Sequence, residues 1–183
     1  MPVLSRERFA AVLAMGCMLG SGCEPTNQGY APEQPIKYSH AVHAGALEIP
    51  CQYCHYGAER GRHAGIPPAQ ICMNCHVKAV PEHPEVQKVK LAVETAQPIA
   101  WVRVHRLPDH AYFDHRAHVA AKVECQRCHG PVESTGRVTQ WAPLTMGWCL
   151  DCHRQGAPAQ AEGHAAVPAA QANRLTDCVI CHH

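Results

Sequence analysis

Five copies of one short motif, Cys-x-x-Cys-His, account for ten of the twelve cysteines in this chain of 183 residues. This spacing is the attachment signature of c-type haem, in which two thiols bond to the porphyrin and the histidine supplies an axial nitrogen to the iron. The sequence therefore predicts five haem c groups. The predicted attachment residues are Cys51, Cys54, Cys72, Cys75, Cys125, Cys128, Cys149, Cys152, Cys178 and Cys181, and the predicted iron-binding histidines of the first to fifth motifs are His55, His76, His129, His153 and His182.

Zinc binding and a disulfide framework are the alternatives to haem for paired cysteines. The gaps of seventeen residues between Cys54 and Cys72 and of twenty between Cys128 and Cys149 both fit a zinc ribbon. However, tetrahedral zinc does not require a histidine after every second cysteine, and five pairs leave one pair without a partner for a four-ligand site. The motif set therefore favours haem.

Composition limits the fold class and the kinds of partner. Five porphyrins in so short a chain would occupy most of the interior, which predicts a multihaem cytochrome c that is mainly α, with little regular secondary structure wrapped around five covalently bound haems. The formal net charge of +1 argues against nucleic acid as a partner. The length also leaves no room for a separate large catalytic domain.

The N-terminus predicts the compartment. Two arginines, Arg6 and Arg8, precede an uncharged stretch that is too short to span a bilayer comfortably and that ends in small residues before Cys23. This pattern predicts a lipoprotein-type signal peptide over residues 1–22 and lipidation of Cys23, which would place the chain on the periplasmic face of the bacterial cytoplasmic membrane. Ordinary cleavage that leaves a free thiol, or an uncleaved anchor, remains the alternative.

The pattern aromatic-x-His-x-x-His occurs twice, at residues 38–43 and 113–118, and each copy precedes two haem motifs. The chain is therefore predicted to repeat a two-haem unit. The expected organisation is a linker at 23–34, a first unit at 35–80, a connector at 81–104 with a short helix over 85–95, a second unit at 105–154, and a linker with the fifth motif at 155–183.

Ten histidines lie outside the motifs, enough to give every iron a second axial ligand. The paired histidines are predicted to serve four different haems, because one iron cannot bind both members of an i, i+3 pair together with its motif histidine. They are His40, His43, His115 and His118. The fifth ligand stays open among His105, His110 and His63, with His164 less favoured. Met146 is a further candidate axial ligand, although a packing role is favoured for it.

Residues 97–119, together with 62–67 and 144–149, resemble corresponding segments of the pentahaem cytochrome c subunit of alternative complex III. The resemblance extends over residues 35–154. It implies an iron–sulfur subunit, membrane quinol-binding subunits and a monohaem cytochrome c as partners in a respiratory chain. The chain departs from the family pattern at its lipobox-like N-terminus and in the tail from residue 155 onwards.

The sequence therefore predicts an electron-transfer cytochrome that is no enzyme by itself and carries electrons away from a quinol-oxidising complex towards a periplasmic or oxidase acceptor. Two alternatives remain. One is a free or lipid-anchored periplasmic shuttle. The other is a multihaem nitrite or sulfur-oxyanion reductase, which is disfavoured because such catalysis needs an iron with an open axial position, whereas spare histidines here outnumber the motifs.

Overall fold

The structure is a computed structural model that describes residues 26–155 and 173–183. The predicted signal peptide, the lipidation residue Cys23, His164 and most of the predicted C-terminal linker lie outside the described residues. Within the described ranges, no helix is both long and apolar enough to cross a membrane.

Short helices joined by long loops make up the described part of the chain, which contains no strand. The prediction of a mainly α chain is confirmed. A π-helical turn occupies Ala41–Ala46, and 3₁₀ turns occupy Tyr56–Glu59 and Val132–Ser134. The α-helices with both ends defined in the described residues are α1 (Cys51–Cys54), α2 (Ala69–His76), α3 (Pro84–Glu94), α4 (His115–Ala120), α5 (Gln126–His129), α6 (Met146–Gln155) and α7 (Cys178–Cys181).

Side-chain caps define where several of these helices begin. The Asp114 carboxylate accepts the backbone N–H of Arg116 at 2.9 Å at the start of α4, and Asp177 caps α7 in the same way. Helix α3 begins at Pro84, one residue before the predicted start, because proline suits the first helical position. Caps of this kind satisfy backbone donors that have no partner inside so short a helix.

The chain's own side chains supply a small buried core in the described residues. Five apolar side chains are buried, and the least exposed polar side chain is Gln140, at 1%. The Gln140 amide oxygen accepts the backbone N–H of Arg106 at 3.0 Å and the side-chain amide of Asn27 at 3.2 Å. The N-terminal linker is therefore joined at one buried amide to two stretches of the second unit. The buried apolar side chains are Ile36, Ala58, Val86, Val89 and Ala142.

The two predicted units also contact each other directly. The backbone N–H groups of His115 and Arg116, at the start of α4, donate to the carbonyls of Arg62 and Gly61 at 3.4 and 3.3 Å. The π-helical turn packs on the 3₁₀ turn Val132–Ser134, where a Cβ on Gly45 would collide with the carbonyl of Glu133. A larger residue at Gly45 would therefore push the two units apart. The close contact at Gly45 holds the segments beside the first and third motifs together.

Candidate haem-binding site

Each motif histidine faces a second imidazole across a gap. The ring centres of the five pairs lie 5.6 to 6.4 Å apart, and each pair contains one motif histidine and one other histidine. The pairs are His40 with His55 (6.4 Å), His43 with His76 (6.0 Å), His115 with His129 (6.3 Å), His118 with His153 (6.1 Å) and His110 with His182 (5.6 Å).

This gap fits one metal ion held between two imidazoles. Two metal–nitrogen bonds of about 2 Å each, plus about 1 Å from each nitrogen to its ring centre, give a centre-to-centre distance of roughly 6 Å. All five pairs therefore have the separation that an axial pair on a haem iron requires.

Hydrogen bonds at Nδ1 fix the orientation of the motif histidines. His55 donates to the carbonyl of Gly65 at 2.6 Å, and His76 donates to that of Ala79 at 2.9 Å. In the later motifs, His153 donates to Leu175 at 2.8 Å and His182 donates to the carbonyl of His110 at 2.9 Å. Because a carbonyl can only accept, these bonds place the proton on Nδ1 and leave Nε2 free as a donor to a metal.

Three of the facing histidines are oriented in the same way. The Nδ1 atoms of His43 and His118 donate to the carbonyls of the residues four positions earlier, Ser39 and Asp114, at 2.8 and 2.9 Å. His115 donates to the carbonyl of Arg62 at 2.7 Å, across the contact between the two units. The Nδ1 atom of His40 is buried and has no partner among the described residues.

Burial keeps several of these imidazoles in the form that binds metals. Burial, reinforced by neighbouring histidines, lowers the pKa of His40 and of His129 to about 4. Burial likewise lowers the pKa of His118. A neutral imidazole has a free lone pair, so these side chains are ready to bind iron at neutral pH without losing a proton first.

An aromatic ring packs against the paired histidines in both copies of the repeat. Tyr38 stacks on His43 at 4.4 Å and meets His40 edge-on at 4.8 Å. In the second copy, Phe113 stacks on His118 at 4.5 Å and meets His115 edge-on at 4.8 Å. The repeated sequence pattern therefore corresponds to a repeated local structure, in which one aromatic ring holds two imidazoles pointing to different motifs.

The ten described cysteines are all free thiols, and the described residues contain no cluster of three or more histidine, cysteine or acidic side chains that could hold a metal ion by themselves. The motif cysteines therefore do not gather into the four-thiolate sites that the zinc alternative requires. They also form none of the bridges that a disulfide framework requires.

Burial raises the pKa of several motif thiols, in the case of Cys128 to about 11. A thiol from another motif contributes to each rise. These contributions come from Cys72 to Cys54, from Cys51 to Cys125, from Cys152 to Cys128, and from Cys181 to Cys149.

The structure distinguishes among the three main candidates for the second axial ligand at the fifth motif. His110 faces His182, whereas the Nε2 atom of His105 lies 3.2 Å from the Nδ1 atom of His129, beside that ring. His63 is exposed and makes no ring contact with another histidine in the described part of the chain. Met146 is 67% exposed, so the favoured packing role has no support here.

Sequence reasoning missed the hydrogen-bonding position of His105. The contact joins residues 24 positions apart in loop and helix, and no local spacing in the sequence indicates it. The pairing of His110 with the fifth motif also lacks a sequence signal, because it forms where the C-terminal segment contacts the start of the second unit. There the N–H of Tyr112 donates to the carbonyl of Cys181 at 2.7 Å.

No family model matches the chain. The chain is similar to the protein named "Menaquinone reductase, multiheme cytochrome c subunit" from Nitratidesulfovibrio vulgaris, with 28% identity over 171 residues, which covers 82% of this chain and 77% of the relative. The similarity supports a multihaem cytochrome c. The relative is named as the cytochrome subunit of a reductase complex, which is consistent with an electron-transfer subunit rather than a catalytic one.

Proposed function

We propose that this cytochrome is a pentahaem electron-transfer subunit of a membrane quinone oxidoreductase complex. The observation that carries the proposal is the set of five histidine pairs, each with one motif histidine and a gap of 5.6 to 6.4 Å. The relative, named as a subunit of menaquinone reductase, supports the assignment to a quinone complex.

The chain's residues would hold each haem at four points. Two motif cysteines would form thioether bonds, and two imidazoles would occupy the axial positions. Bound in this way, haem supplies reversible one-electron chemistry at its iron. Because an imidazole of the chain stands on each side of every gap, no axial position is left for a substrate, which favours conduction over the nitrite or sulfur-oxyanion reductase.

Contacts within the chain support an order of the motifs for electron transfer. His40 and His43, three residues apart, face the first and second motifs, and His115 and His118 of α4 face the third and fourth. His153 of the fourth motif donates to the carbonyl of Leu175, three residues before the fifth motif. In this order the second and fifth motifs are at the two ends. We therefore infer that electrons enter at one of the end motifs and leave at the other. The contact between α4 and the loop at Arg62 holds the two units together where the first motif meets the third.

The proposed partners are an iron–sulfur subunit, membrane quinone-binding subunits and a monohaem cytochrome c. Two directions of electron flow have support. The resemblance of residues 97–119 to the alternative complex III subunit favours quinol oxidation, whereas the name of the relative favours reduction of menaquinone. We further propose that lipidation of Cys23 anchors the cytochrome at the periplasmic face of the membrane.

Purification of the mature protein from membranes, followed by intact mass and protein identification, tests the proposal. The expected result is a mass increased by five haem groups and an acyl-modified Cys23, with iron–sulfur and quinone-binding subunits in the same complex. A haem-bearing protein that purifies alone from the soluble fraction would support the shuttle and contradict the complex.

The direction of flow is tested separately in the purified complex. A menaquinol analogue is added to the oxidised complex and a menaquinone analogue to the reduced complex, and the haem absorption spectrum is followed on the timescale of turnover. Haem reduction by the quinol supports quinol oxidation as the direction of electron flow. Haem oxidation by the quinone supports menaquinone reduction.

A further inference from the structure

The third motif differs from the other four in what its histidine touches. His55, His76, His153 and His182 donate Nδ1–H to backbone carbonyls. His129 instead meets the Nε2 atom of the His105 side chain at 3.2 Å. The two rings are edge to face, with their centres 4.5 Å apart and their planes at 77°. This separation is too short for a shared iron and fits a direct hydrogen bond.

The chemistry of the pair fixes the roles of the two rings. If the Nε2 atom of His129 faces a metal, its Nδ1 atom carries the proton and must donate. His105 must therefore accept through Nε2 as a neutral ring.

The backbone on both sides of His105 is tied to the buried part of the molecule. The carbonyl of Val104 accepts the side-chain amide of Asn27 at 2.9 Å, and the N–H of Arg106 donates to the buried Gln140 at 3.0 Å. Asn27 and Gln140 are themselves hydrogen-bonded. His105 is therefore presented to His129 by a rigid polar network.

We propose that His105 is a positioning residue that accepts the Nδ1–H of His129 and thereby lowers the reduction potential of the haem at the third motif. The proposal rests on the proposed function. An imidazole nitrogen is a much stronger base than a backbone carbonyl, so it draws the His129 proton further and gives the ligand more imidazolate character. A more basic axial ligand stabilises ferric iron over ferrous iron.

The removal of such an outer partner typically changes metal affinity or activity by tenfold or more, and we expect an effect of this size on the ferric-to-ferrous equilibrium. A tenfold change in the ferric-to-ferrous ratio equals about 59 mV for a one-electron couple. We therefore expect His105→Phe, which keeps a ring against His129 but removes the acceptor, to raise the potential of this haem by about 59 mV. His105→Gln supplies an amide oxygen in place of the imidazole nitrogen and should raise the potential by a smaller amount.

The test is a reductive titration of the holoprotein followed by the NMR signals of the haem methyl groups, which report each haem separately. A His115→Ala variant identifies the signals of the third haem, because that haem alone should lose its low-spin spectrum. The control is His83→Asn, which removes an exposed imidazole but keeps a side chain able to cap α3.

The expected result is a raised potential of the third haem in both His105 variants, larger in the Phe variant, with the other four haems and the control unchanged. An unchanged third haem in a correctly folded variant would overturn the proposal, and so would an equal shift of all five. High-spin iron that binds CO in His105→Phe would show that His105 is itself an axial ligand, which also overturns it. If His105→Phe fails to fold, the Gln variant decides. Failure of the proposed function is distinct, because the wild-type protein would then lack a five-haem spectrum or would purify without the partner subunits.

Discussion

Replacing His110 tests the pairing that joins residues furthest apart in the sequence. His110 and His182 are 72 residues apart, yet their ring centres lie 5.6 Å apart with planes at 23°. In His110→Ala the carbonyl that accepts Nδ1–H of His182 stays in place, because it belongs to the backbone. The substitution should therefore remove one axial ligand and leave the orientation of the motif histidine intact.

The size of the effect follows from the number of pairs. One of five irons should change from low spin to high spin, so about a fifth of the haem should acquire an open axial position. Titration of the reduced variant with CO should then give one CO per chain, whereas the wild-type protein should bind none. Low-temperature EPR of the oxidised variant should show the matching loss of one low-spin centre.

His63→Ala is the matched comparison, because His63 is exposed and lies outside every histidine pair of the described residues. It should keep five low-spin haems. If His63→Ala opens a CO site while His110→Ala does not, the pairing of His110 with the fifth motif is wrong.

Three further predictions concern packing, backbone and pH. Phe113→Leu removes a ring stacked on His118 at 4.5 Å and should lower the free energy of unfolding by about 1 kcal/mol in denaturant titrations; an unchanged midpoint would contradict the role of this ring. Gly130→Ala should lower the free energy of unfolding by about 1–3 kcal/mol or more, because Gly130 has φ of 69° and ψ of −168° and a Cβ there would meet the Trp141 ring at 2.5 Å. Thermal unfolding measures the loss, and a variant as stable as the wild-type protein would refute the prediction. Burial lowers the pKa of His129 from 6.5 to about 4, so between these pH values His129 takes up a proton in the unfolded chain but not in the folded chain. The free energy of unfolding should therefore be lower at about pH 5 than at about pH 7. A higher denaturant midpoint at the lower pH would contradict this prediction.

Local patterns predicted the parts of the site that are built from local structure. Each motif places two thiols and a histidine within five consecutive residues, and the spacing of His40 and His43 is enough to direct the two rings to different motifs. The repeat was visible for the same reason, since Tyr38 and Phe113 act within five residues of the histidines they hold. The attachment and ligand roles of these residues stay predictions.

Contacts that close over long distances could not be predicted from the sequence. His110 and His182 face each other only because the C-terminal segment packs against the loop that carries His110. The hydrogen bond between His105 and His129 depends on the buried Gln140 amide, which holds the backbone next to His105. Several free histidines were chemically equivalent as candidates, and only packing distinguishes among them. The boundary of α3 differed by one residue because Pro84 can occupy the first helical position.

The proposed function depends on five irons per chain, each held between two histidines of the chain. The most direct measurement is quantitative low-temperature EPR of the oxidised wild-type protein, combined with a haem assay and CO titration of the reduced form. We expect five low-spin irons per chain and no CO binding. Fewer than five haems, or one high-spin iron that binds CO, would contradict it and would reopen the reductase alternative.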